Sequence, residues 1–237
     1  MSDAQALSGL ADVSASLVGE GDISGVLASG LARCAESVGA QAAGLLVVGD
    51  QGLELLSATS HAVEELEALQ VGSMQGPCVD CVEQQIAISA PALEPIRASW
   101  PLMAEAMERA GLQGVYCVPL HWQGRAIGGL NLFWSAAQEE VDPSLAQVAQ
   151  AFADIMSVAI ISIHPTMTRD LALDRVRDAL AGRAVIEVAK GVLVEQHGLE
   201  PDAAFSELLR RSAAVHDSLG AVALRIIDAA RRPVDPG

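Results

Sequence analysis

The amino-acid composition changes at Pro165, and this change constrains the fold more than any other feature of the chain. Residues 1–165 carry 4 basic and 19 acidic side chains, a formal charge of −15. Residues 166–237 carry 10 basic and 11 acidic side chains, a formal charge of −1, and are rich in arginine, alanine, leucine and valine. Such a composition favours helices. Two compositions in one chain predict two domains, of which only the first is strongly acidic.

The overall composition indicates a folded protein. The chain has 237 residues and a formal charge of −16, and 51% of its residues are hydrophobic, which is enough to form a core. The N-terminus has no basic region, and the longest strongly apolar stretch, 155–163, is shorter than the roughly 20 residues that span a bilayer. Four cysteines without regular spacing favour a reducing compartment. We therefore expect a cytoplasmic protein without a secretion signal or a membrane span.

Hydrophobic periodicity in the first domain predicts helices and short strands. Asp22 is predicted to cap a helix whose apolar residues recur every three or four positions. Apolar runs on either side of tight turns predict two hairpins. The predicted hairpins are Gly44–Val48 with Leu53–Ser57 and Val115–Leu120 with Ala126–Phe133; a further strand is Ile86–Ile88, and further helices are 62–69, 101–110 and one that begins at Asp142.

The second domain is predicted to contain helices alone, at 170–196, 201–215 and 218–231. The whole chain then has the order α-β-β-α-β-α-β-β-α followed by α-α-α. This order predicts an α+β fold, in which an antiparallel sheet with flanking helices precedes an all-α three-helix bundle. In the last helix the apolar residues share one face, so Arg225 is expected to point into solvent.

The helix that begins at Asp142 carries an apolar seam. Its apolar residues alternate at three- and four-residue steps, which places them on one face. A seam of this kind can pair with a copy of itself, so we expect a homodimer. The seam consists of Leu145, Val148, Phe152, Ile155 and Ala159.

Four segments of the first domain together resemble a GAF domain of the actinobacterial regulatory type. The resemblance covers roughly residues 21–163. It is carried by Leu66-Glu67-Ala68-Leu69-Gln70, Gly76-Pro77-Cys78-Val79-Asp80, Trp100-Pro101 and Ile127-Gly128-Gly129-Leu130-Asn131-Leu132.

The second domain is similar to the ANTAR domain, and this similarity is the more specific of the two. It is carried by Ala179-Leu180, Arg183, Val185-Ile186-Glu187, Ala189-Lys190-Gly191, Ala203-Ala204-Phe205, Leu208, Arg210-Arg211-Ser212, Leu219 and Val222-Ala223. Together the two resemblances imply a GAF-ANTAR regulator. The implied divisions are a helical lead-in at 1–20, a GAF sensor domain at 21–163, a junction at 164–169 and an ANTAR RNA-binding domain at 170–232.

The resemblance implies that the ANTAR domain binds RNA hairpins, in tandem, and relieves transcription termination, while the GAF domain senses a small-molecule or protein signal. Arginine suits RNA because its planar guanidinium can contact phosphate at two points and can stack on an unpaired base. Lys190 is the only lysine and follows Arg183 by two helical turns, so both side chains can face one RNA backbone. The candidate RNA-binding residues are Arg183, Lys190, Arg210, Arg211 and Arg225.

Two alternatives remain open for these residues. Lys190 can instead be a solvated helix position, and Arg210 and Arg211 can form surface ion pairs with Glu207 or Asp217, which contribute little stability. The chain also departs from the ANTAR pattern, because Leu209 replaces an arginine and His216-Asp217-Ser218 replaces a basic run. These losses of positive charge leave open whether RNA affinity is weak, depends on dimerisation or is directed at a different target.

The GAF resemblance implies a space for a small ligand between the sheet and the helices that cover it. Trp100, Tyr116, Cys117 and Asn131 are candidates to line that space, although nothing in the sequence identifies a ligand or a cofactor. The adjacent pair Gly128-Gly129 is interpreted as a point of close backbone approach in a strand.

Cys78 and Cys81 form a Cys-x-x-Cys pair, for which a redox switch, a zinc site and simple packing are the alternatives. Asp80 and Glu83 oppose a thiolate there. Zinc would require two further ligands, for which only Cys34, Cys117 and scattered histidines are available. We therefore favour packing and predict no metal site.

No catalytic motif accompanies these features. The sequence lacks the GxxxxGK[ST] phosphate loop, the HExxH zinc motif and the GxSxG nucleophile elbow, so we predict that the chain is not an enzyme. The first hypothesis is a sensor whose GAF domain controls access of the ANTAR domain to RNA. The alternative is a signalling module without nucleic acid, in which the C-terminal helices dock onto a protein partner.

Overall fold

The computed structural model describes residues 8–14, 22–138, 141–161, 169–215 and 217–231. It confirms the predicted α+β fold, with a five-stranded antiparallel sheet, flanking helices and three C-terminal helices. Residues 8–14 are helical and are labelled α1. The other helices are α2 (Ile23–Val38), α3 (His61–Ser73), α4 (Pro77–Gln84), α5 (Leu93–Ser99), α6 (Pro101–Arg109), α7 (Pro143–Ile161), α8 (Arg169–His197), α9 (Pro201–Val215) and α10 (Leu219–Arg231). The strands are β1 (Ala42–Gly49), β2 (Gly52–Ala58), β3 (Ile88–Ala90), β4 (Gly114–Trp122) and β5 (Arg125–Trp134).

The sheet has the strand order β2-β1-β5-β4-β3, and every neighbouring pair is antiparallel. The hairpins β1–β2 and β4–β5 confirm the two predicted ones. In the centre of the sheet Asn131 of β5 pairs with Gly44 of β1 on one side and with Cys117 of β4 on the other. Residues directly opposite each other in adjacent strands share a face of the sheet, so these three positions form a row.

Helices cover both faces of the sheet. On one face α2 and α7 bury Leu27, Leu31 and Phe152 against strand residues that include Leu45 and Leu130. On the other face α3, α5 and α6 bury a second cluster, and α4 closes a third. Because β5 is central and covered on both sides, its side chains must fit two cores at once.

The pair Gly128-Gly129 of β5 meets this demand by close approach, as predicted. A Cβ atom on Gly129 would lie 2.6 Å from Cys78 Sγ and 3.0 Å from Cys117 Sγ, and one on Gly128 would overlap the carbonyl oxygen of Leu46. Only glycine leaves room for these neighbours.

Helices α8, α9 and α10 form a bundle with its own core. Ile186, Leu193, Phe205 and Leu208 pack there against the buried face of α10. The predicted inward face of α10 is confirmed, since Leu219, Val222, Ala223, Ile226 and Ile227 are buried, and Arg225 is exposed.

Three predicted details need correction. Helices α4 and α5 were not predicted, and β3 begins at Ile88, two residues later than expected. Both helices are too short to show a periodic pattern, and each has a proline in its first turn, where the missing N–H costs nothing. Gln85 adopts a left-handed conformation after α4, and pairing with β4 begins only at Ile88, so Ile86 lies outside β3 and is 55% exposed.

The ends of the predicted domains fall partly outside the description. Residues 1–7 and 15–21, which include most of the predicted lead-in, and residues 162–168, which include most of the predicted junction, lie outside the described residues. The division into 1–20, 21–163, 164–169 and 170–232 therefore stays a prediction.

The apolar seam of α7 is used inside the chain. Phe152 and Ala159 are buried in the core beneath the sheet, and Leu145, Val148 and Ile155 pack partly buried against the same core. The seam is therefore not free to pair with a second copy. Helix α7 is long and apolar enough to cross a membrane, but its apolar face covers the sheet.

We expect Phe152→Ala to lower the free energy of unfolding by about 3–5 kcal/mol, because the ring is fully buried and its loss leaves a cavity. Urea unfolding followed by circular dichroism measures the change. Val158→Ala is the matched control, since Val158 lies on the same helix but is 54% exposed, and should change stability by less than about 0.5 kcal/mol. Equal losses in both variants would contradict this account of α7.

Candidate nucleic-acid interface

Three of the five predicted RNA-binding side chains gather at one surface. Arg210 and Arg211 of α9 and Arg225 of α10 line a groove between the two helices, whose apolar lining includes Val222 and Ile226. The three arginine side chains are 68%, 36% and 54% exposed, respectively. We call these five residues the arginine groove. Guanidinium groups above an apolar surface suit phosphate and the flat face of an unpaired base.

The arginines of the groove form ion pairs with acidic side chains. Glu207 accepts hydrogen bonds from Arg210 Nε and Arg211 Nε, each at 2.7 Å, and Asp217 pairs with Arg225. The hydrogen bonds from Arg210 and Arg211 lower the pKa of Glu207 to about 2. The surface ion pairs considered for Arg210 and Arg211 thus exist, with Glu207 as the partner. Exposed pairs of this kind are weak, so a phosphate can replace the carboxylate.

Leu209, which stands where the ANTAR pattern has an arginine, packs against the core of the three-helix bundle. Asp217, in the second departing segment, accepts hydrogen bonds from the backbone of Ser218 and from Arg225. His216 lies outside the described residues. The first departure therefore adds packing, and the second places a carboxylate beside the groove.

Lys190 does not lie with the arginines of the groove. It is only 6% exposed, and its Nζ donates to Glu64 Oε1 of α3 at 2.8 Å and to Glu187 Oε2 at 2.9 Å. Nζ also lies 5.8 Å from the centre of the Phe205 ring, within the range of a cation–π contact. The solvated position considered for Lys190 is therefore wrong, because the ammonium group lies between α3 of the first domain and α8 of the second.

The ionisation of this pair is set by opposing effects. Burial lowers the pKa of Lys190, but its hydrogen bonds to Glu64 and Glu187 raise the pKa by more than burial lowers it. The net shift is upward. Burial raises the pKa of Glu64, but the hydrogen bond and charge of Lys190 lower it, and the net shift is downward. Both groups are therefore charged at neutral pH.

Arg183, two turns before Lys190, faces the same carboxylate. Its charge also lowers the pKa of Glu64, and its buried Nε has no hydrogen-bond partner among the described residues. The five predicted residues thus fall into two groups. Arg210, Arg211 and Arg225 line the exposed groove, whereas Arg183 and Lys190 face α3.

A polar cluster of Glu67, Gln70 and Asn131 lies buried between α3 and the sheet. Glu67 accepts from Asn131 Nδ2 at 2.8 and 3.0 Å and from Gln70 Nε2 at 2.7 Å. Gln70 Oε1 in turn accepts from the backbone N–H of Cys78 at 3.0 Å. Asn131 Oδ1 has no hydrogen-bond partner within the described part of the chain. Burial raises the pKa of Glu67 to about 8, although the hydrogen bonds from Asn131 and Gln70 oppose the rise.

Of the predicted ligand-lining residues, three share a face of the sheet and one does not. Asn131 and Cys117 point toward α3 and α4, and Trp100 packs on the same side, where its indole N–H donates to Asp80 Oδ2 at 3.1 Å. Tyr116 precedes Cys117 in β4 and therefore points to the opposite face, into the core under α2 and α7. Tyr116 cannot line the same space as the other three.

Glu67 and Gln70 were not predicted as site residues. With Val63 and Leu66 they form the buried face of α3, at the three- and four-residue steps of a helix. Polar residues at such positions are the signal that could have identified them, because a buried polar group requires a partner.

Two family models match the chain. The model of the GAF domain matches residues 20–161, and the model of the ANTAR domain matches residues 174–227. The chain belongs to the GAF domain family. Its C-terminal helices contain the ANTAR match, so the chain has a GAF-ANTAR architecture. The arginine groove lies in the region of the ANTAR match, and the polar cluster lies in the GAF domain.

Solved structures show the same fold for the GAF domain at low sequence identity. The GAF domain of an Acinetobacter phosphoenolpyruvate-protein phosphotransferase is 12% identical and covers 72% of this chain and 100% of its own, with a TM-score of 0.54. The corresponding domain of a Coxiella burnetii phosphoenolpyruvate-protein phosphotransferase is 18% identical and covers 67% and 95%, with a TM-score of 0.51. No curated protein matches the chain.

Three thiols of the GAF domain lie together beside the polar cluster. Cys78, Cys81 and Cys117 are fully buried in one apolar cluster. The hydrogen bond with Cys117 lowers the pKa of Cys78, but burial and the charge of Glu67 raise it more, and burial raises the pKa of Cys117 well above its usual value. Raised pKa values and burial both oppose the reactive thiolate. Among the described residues no group of three or more His, Cys, Asp or Glu side chains is arranged to hold a metal ion.

Glu67 of the GAF domain should make stability depend on pH. Its pKa rises from 4.5 to about 8 on folding, so the stability that the protonated group contributes is present below pH 4.5 and is lost as the pH rises through about 8. Relative to Glu67→Gln, the wild-type free energy of unfolding should fall by up to about 1.4 kcal/mol per pH unit between about pH 5 and 8. Urea unfolding across that range measures the difference.

Glu65→Gln serves as the control for this measurement. Glu65 lies on the same helix, and its side chain is 75% exposed. Its replacement should leave the pH dependence of the free energy of unfolding the same as in the wild type. Parallel stability curves for the wild type and Glu67→Gln would contradict the protonated state of Glu67.

Proposed function

We propose that this protein is a cytoplasmic, signal-responsive RNA-binding regulator. Its ANTAR domain binds RNA hairpins in tandem and relieves transcription termination, and its GAF domain controls that binding in response to a small-molecule or protein signal. We assign no catalytic activity to the protein. The proposed homodimer remains a further prediction, for which the seam of α7 supplies no surface.

The arginine groove is the observation that carries the proposal. Arg210, Arg211 and Arg225 converge from two helices on one exposed apolar groove, and weak ion pairs hold them in place. Such a surface offers phosphate contacts on its rim and a stacking area on its floor. The near-neutral C-terminal segment also lacks the strong negative charge of the GAF domain, which would repel RNA.

The polar cluster supports the role of the GAF domain as a sensor. Asn131 Oδ1 accepts no hydrogen bond from the described residues, and Glu67 can change its charge near neutral pH. A small molecule that offers a hydrogen-bond donor would satisfy Asn131. Trp100, Cys117 and Asn131 remain the proposed lining of that site.

Removal of the groove arginines tests RNA binding. The variant Arg210→Ala/Arg211→Ala/Arg225→Ala should bind a library of tandem RNA hairpins with randomised loops at least about tenfold more weakly than the wild type. Its affinity should also fall less steeply with salt, because fewer counterions are released. Filter binding of the full-length protein at several salt concentrations measures both effects.

A second triple variant provides the control. Arg97, Arg109 and Arg125 are exposed in the GAF domain and do not line the groove, so their replacement by alanine removes the same charge outside it. This variant should keep most of the wild-type affinity. Equal losses in both variants would contradict the proposal, and retained capture of a protein partner would then favour the docking alternative.

Glu207→Gln should strengthen RNA binding by about threefold to tenfold, because it frees Arg210 and Arg211 from a competing carboxylate. Glu195→Gln is the control, since it makes the same charge change at an exposed position of α8. The same filter-binding measurement compares the two variants. An equal gain in both would show that net charge, and not the groove, sets the affinity.

A further inference from the structure

The contact between α3 and α8 places an acidic side chain where the proposed function needs an RNA phosphate. Glu64 Oε1 lies 2.8 Å from Lys190 Nζ, the distance of a charge-assisted hydrogen bond. Lys190 retains 8% and Glu64 16% of its side-chain exposure, so neither group is open to a large ligand. A phosphate can reach Lys190 only if α3 moves away.

Arg183 belongs to the same contact. Its guanidinium group acts on Glu64 through its charge, and its Nε lacks a hydrogen-bond partner within the described residues although it is buried. A buried guanidinium nitrogen without a partner carries a desolvation penalty. A phosphate that replaced Glu64 would present several oxygen acceptors to Arg183 and Lys190 together.

Three further hydrogen bonds connect the two domains in this arrangement. Asp22, which caps α2 through Gly25, also accepts from the backbone N–H of Gly220 at the start of α10. Ser24 Oγ donates to the carbonyl oxygen of Ala179 at 2.7 Å, and the backbone N–H of His61 donates to Asp202 at 2.8 Å. Water can satisfy each of these polar groups after separation. Apolar contacts also join the domains, since Ala28 of α2 packs into the bundle and Ala179 of α8 is fully buried in the core beneath the sheet. The opening is therefore a movement of α3 away from Arg183 and Lys190, and not a separation of the whole bundle from the GAF domain.

We infer that Glu64 occupies the phosphate site of Lys190 and Arg183, so that the described structure is a closed form in which the GAF domain competes with RNA. This inference rests on the proposed function and deepens its regulation. The arginine groove stays exposed in the closed form and gives the first contact with RNA. Full binding requires α3 and α8 to separate, after which Lys190 and Arg183 add two phosphate contacts.

Helix α3 connects this competition to the interior of the GAF domain. Glu64 and Glu67 lie one turn apart on it, the first against Lys190 and the second against Asn131. A change at the polar cluster that shifts α3 therefore also shifts Glu64. Helix α3 thus holds both Glu67, which contacts the polar cluster, and Glu64, the carboxylate that competes with RNA.

Charge reversal on α3 tests the inference in the full-length protein. Glu64→Arg places a positive group against Lys190 and Arg183 and should open the contact. Glu65→Arg makes the same change of charge at an exposed neighbour that pairs only with His61 among the described ion pairs. Glu64→Arg should bind the tandem-hairpin library at least about tenfold more tightly than Glu65→Arg, since the competent form is no longer a minor state. Its salt dependence should be steeper by about one to two phosphate contacts.

Two measurements make the result decisive. Hydrogen exchange followed by mass spectrometry should show faster exchange in α3 and α8 for Glu64→Arg than for Glu65→Arg, whether or not RNA is present. Addition of Lys190→Gln to Glu64→Arg should remove about one contact from the salt dependence. If charge reversal prevents folding, Glu64→Gln and Glu65→Gln replace the two variants, with a smaller gain of about threefold expected.

The outcomes separate the inference from the proposed function. If α3 and α8 exchange faster in the Glu64 variant but RNA affinity equals that of the Glu65 variant, while the groove variant loses affinity, the competition is overturned and the proposed function stands. If exchange is unchanged, the closed contact does not depend on Glu64 and the inference is also overturned. If no variant binds RNA in a salt-sensitive manner, including the open one, the proposed function fails and the inference fails with it.

Discussion

The hydrogen bonds between Asn131 and Glu67 position the helices on one face of the sheet. Asn131 is a fully buried polar side chain in the central strand, so the fold must supply it with a partner. Glu67 provides that partner at 2.8 and 3.0 Å, which ties α3 to β5, and Gln70 extends the connection to the first turn of α4. Gly44 makes the arrangement possible, because a side chain there would overlap Glu67. The position of α3 in turn decides which residue meets α8.

Much of the fold could be predicted because the signals are local. Tight turns between apolar runs identified both hairpins, and Asp22 was predicted as the cap of α2, where it accepts from Gly25. The short helices α4 (Pro77–Gln84) and α5 (Leu93–Ser99) gave no such signal, because each has too few residues to show a helical period. Their positions depend on packing between distant segments, such as that of Cys78 against Gly129.

The candidate site could be predicted only where one helix decides the outcome. The exposure of Arg225 follows from the periodicity of α10, and the pairs of Arg210 and Arg211 with Glu207 follow from spacing within α9. Of the two partners of Lys190, Glu187 follows from spacing within α8, but Glu64 lies 126 residues away in another domain, and no local pattern indicates it. Tyr116 is a different case, because the alternation of side chains along a strand already separates it from Cys117.

Helix α3 has a consequence for the order in which ligands bind. Since Glu64 and Glu67 lie on one helix, the closed contact and the polar cluster share a single position of that helix. Coupling between two binding sites is reciprocal: a factor by which one ligand changes the affinity for the second applies equally in the other direction. Under the proposed competition, a molecule that favours the separated form by binding at the polar cluster would therefore be held more tightly once RNA occupied α8. The RNA target would then act as an effector of the sensor, and the apparent sensitivity of the GAF domain to its signal would rise with the amount of transcript present.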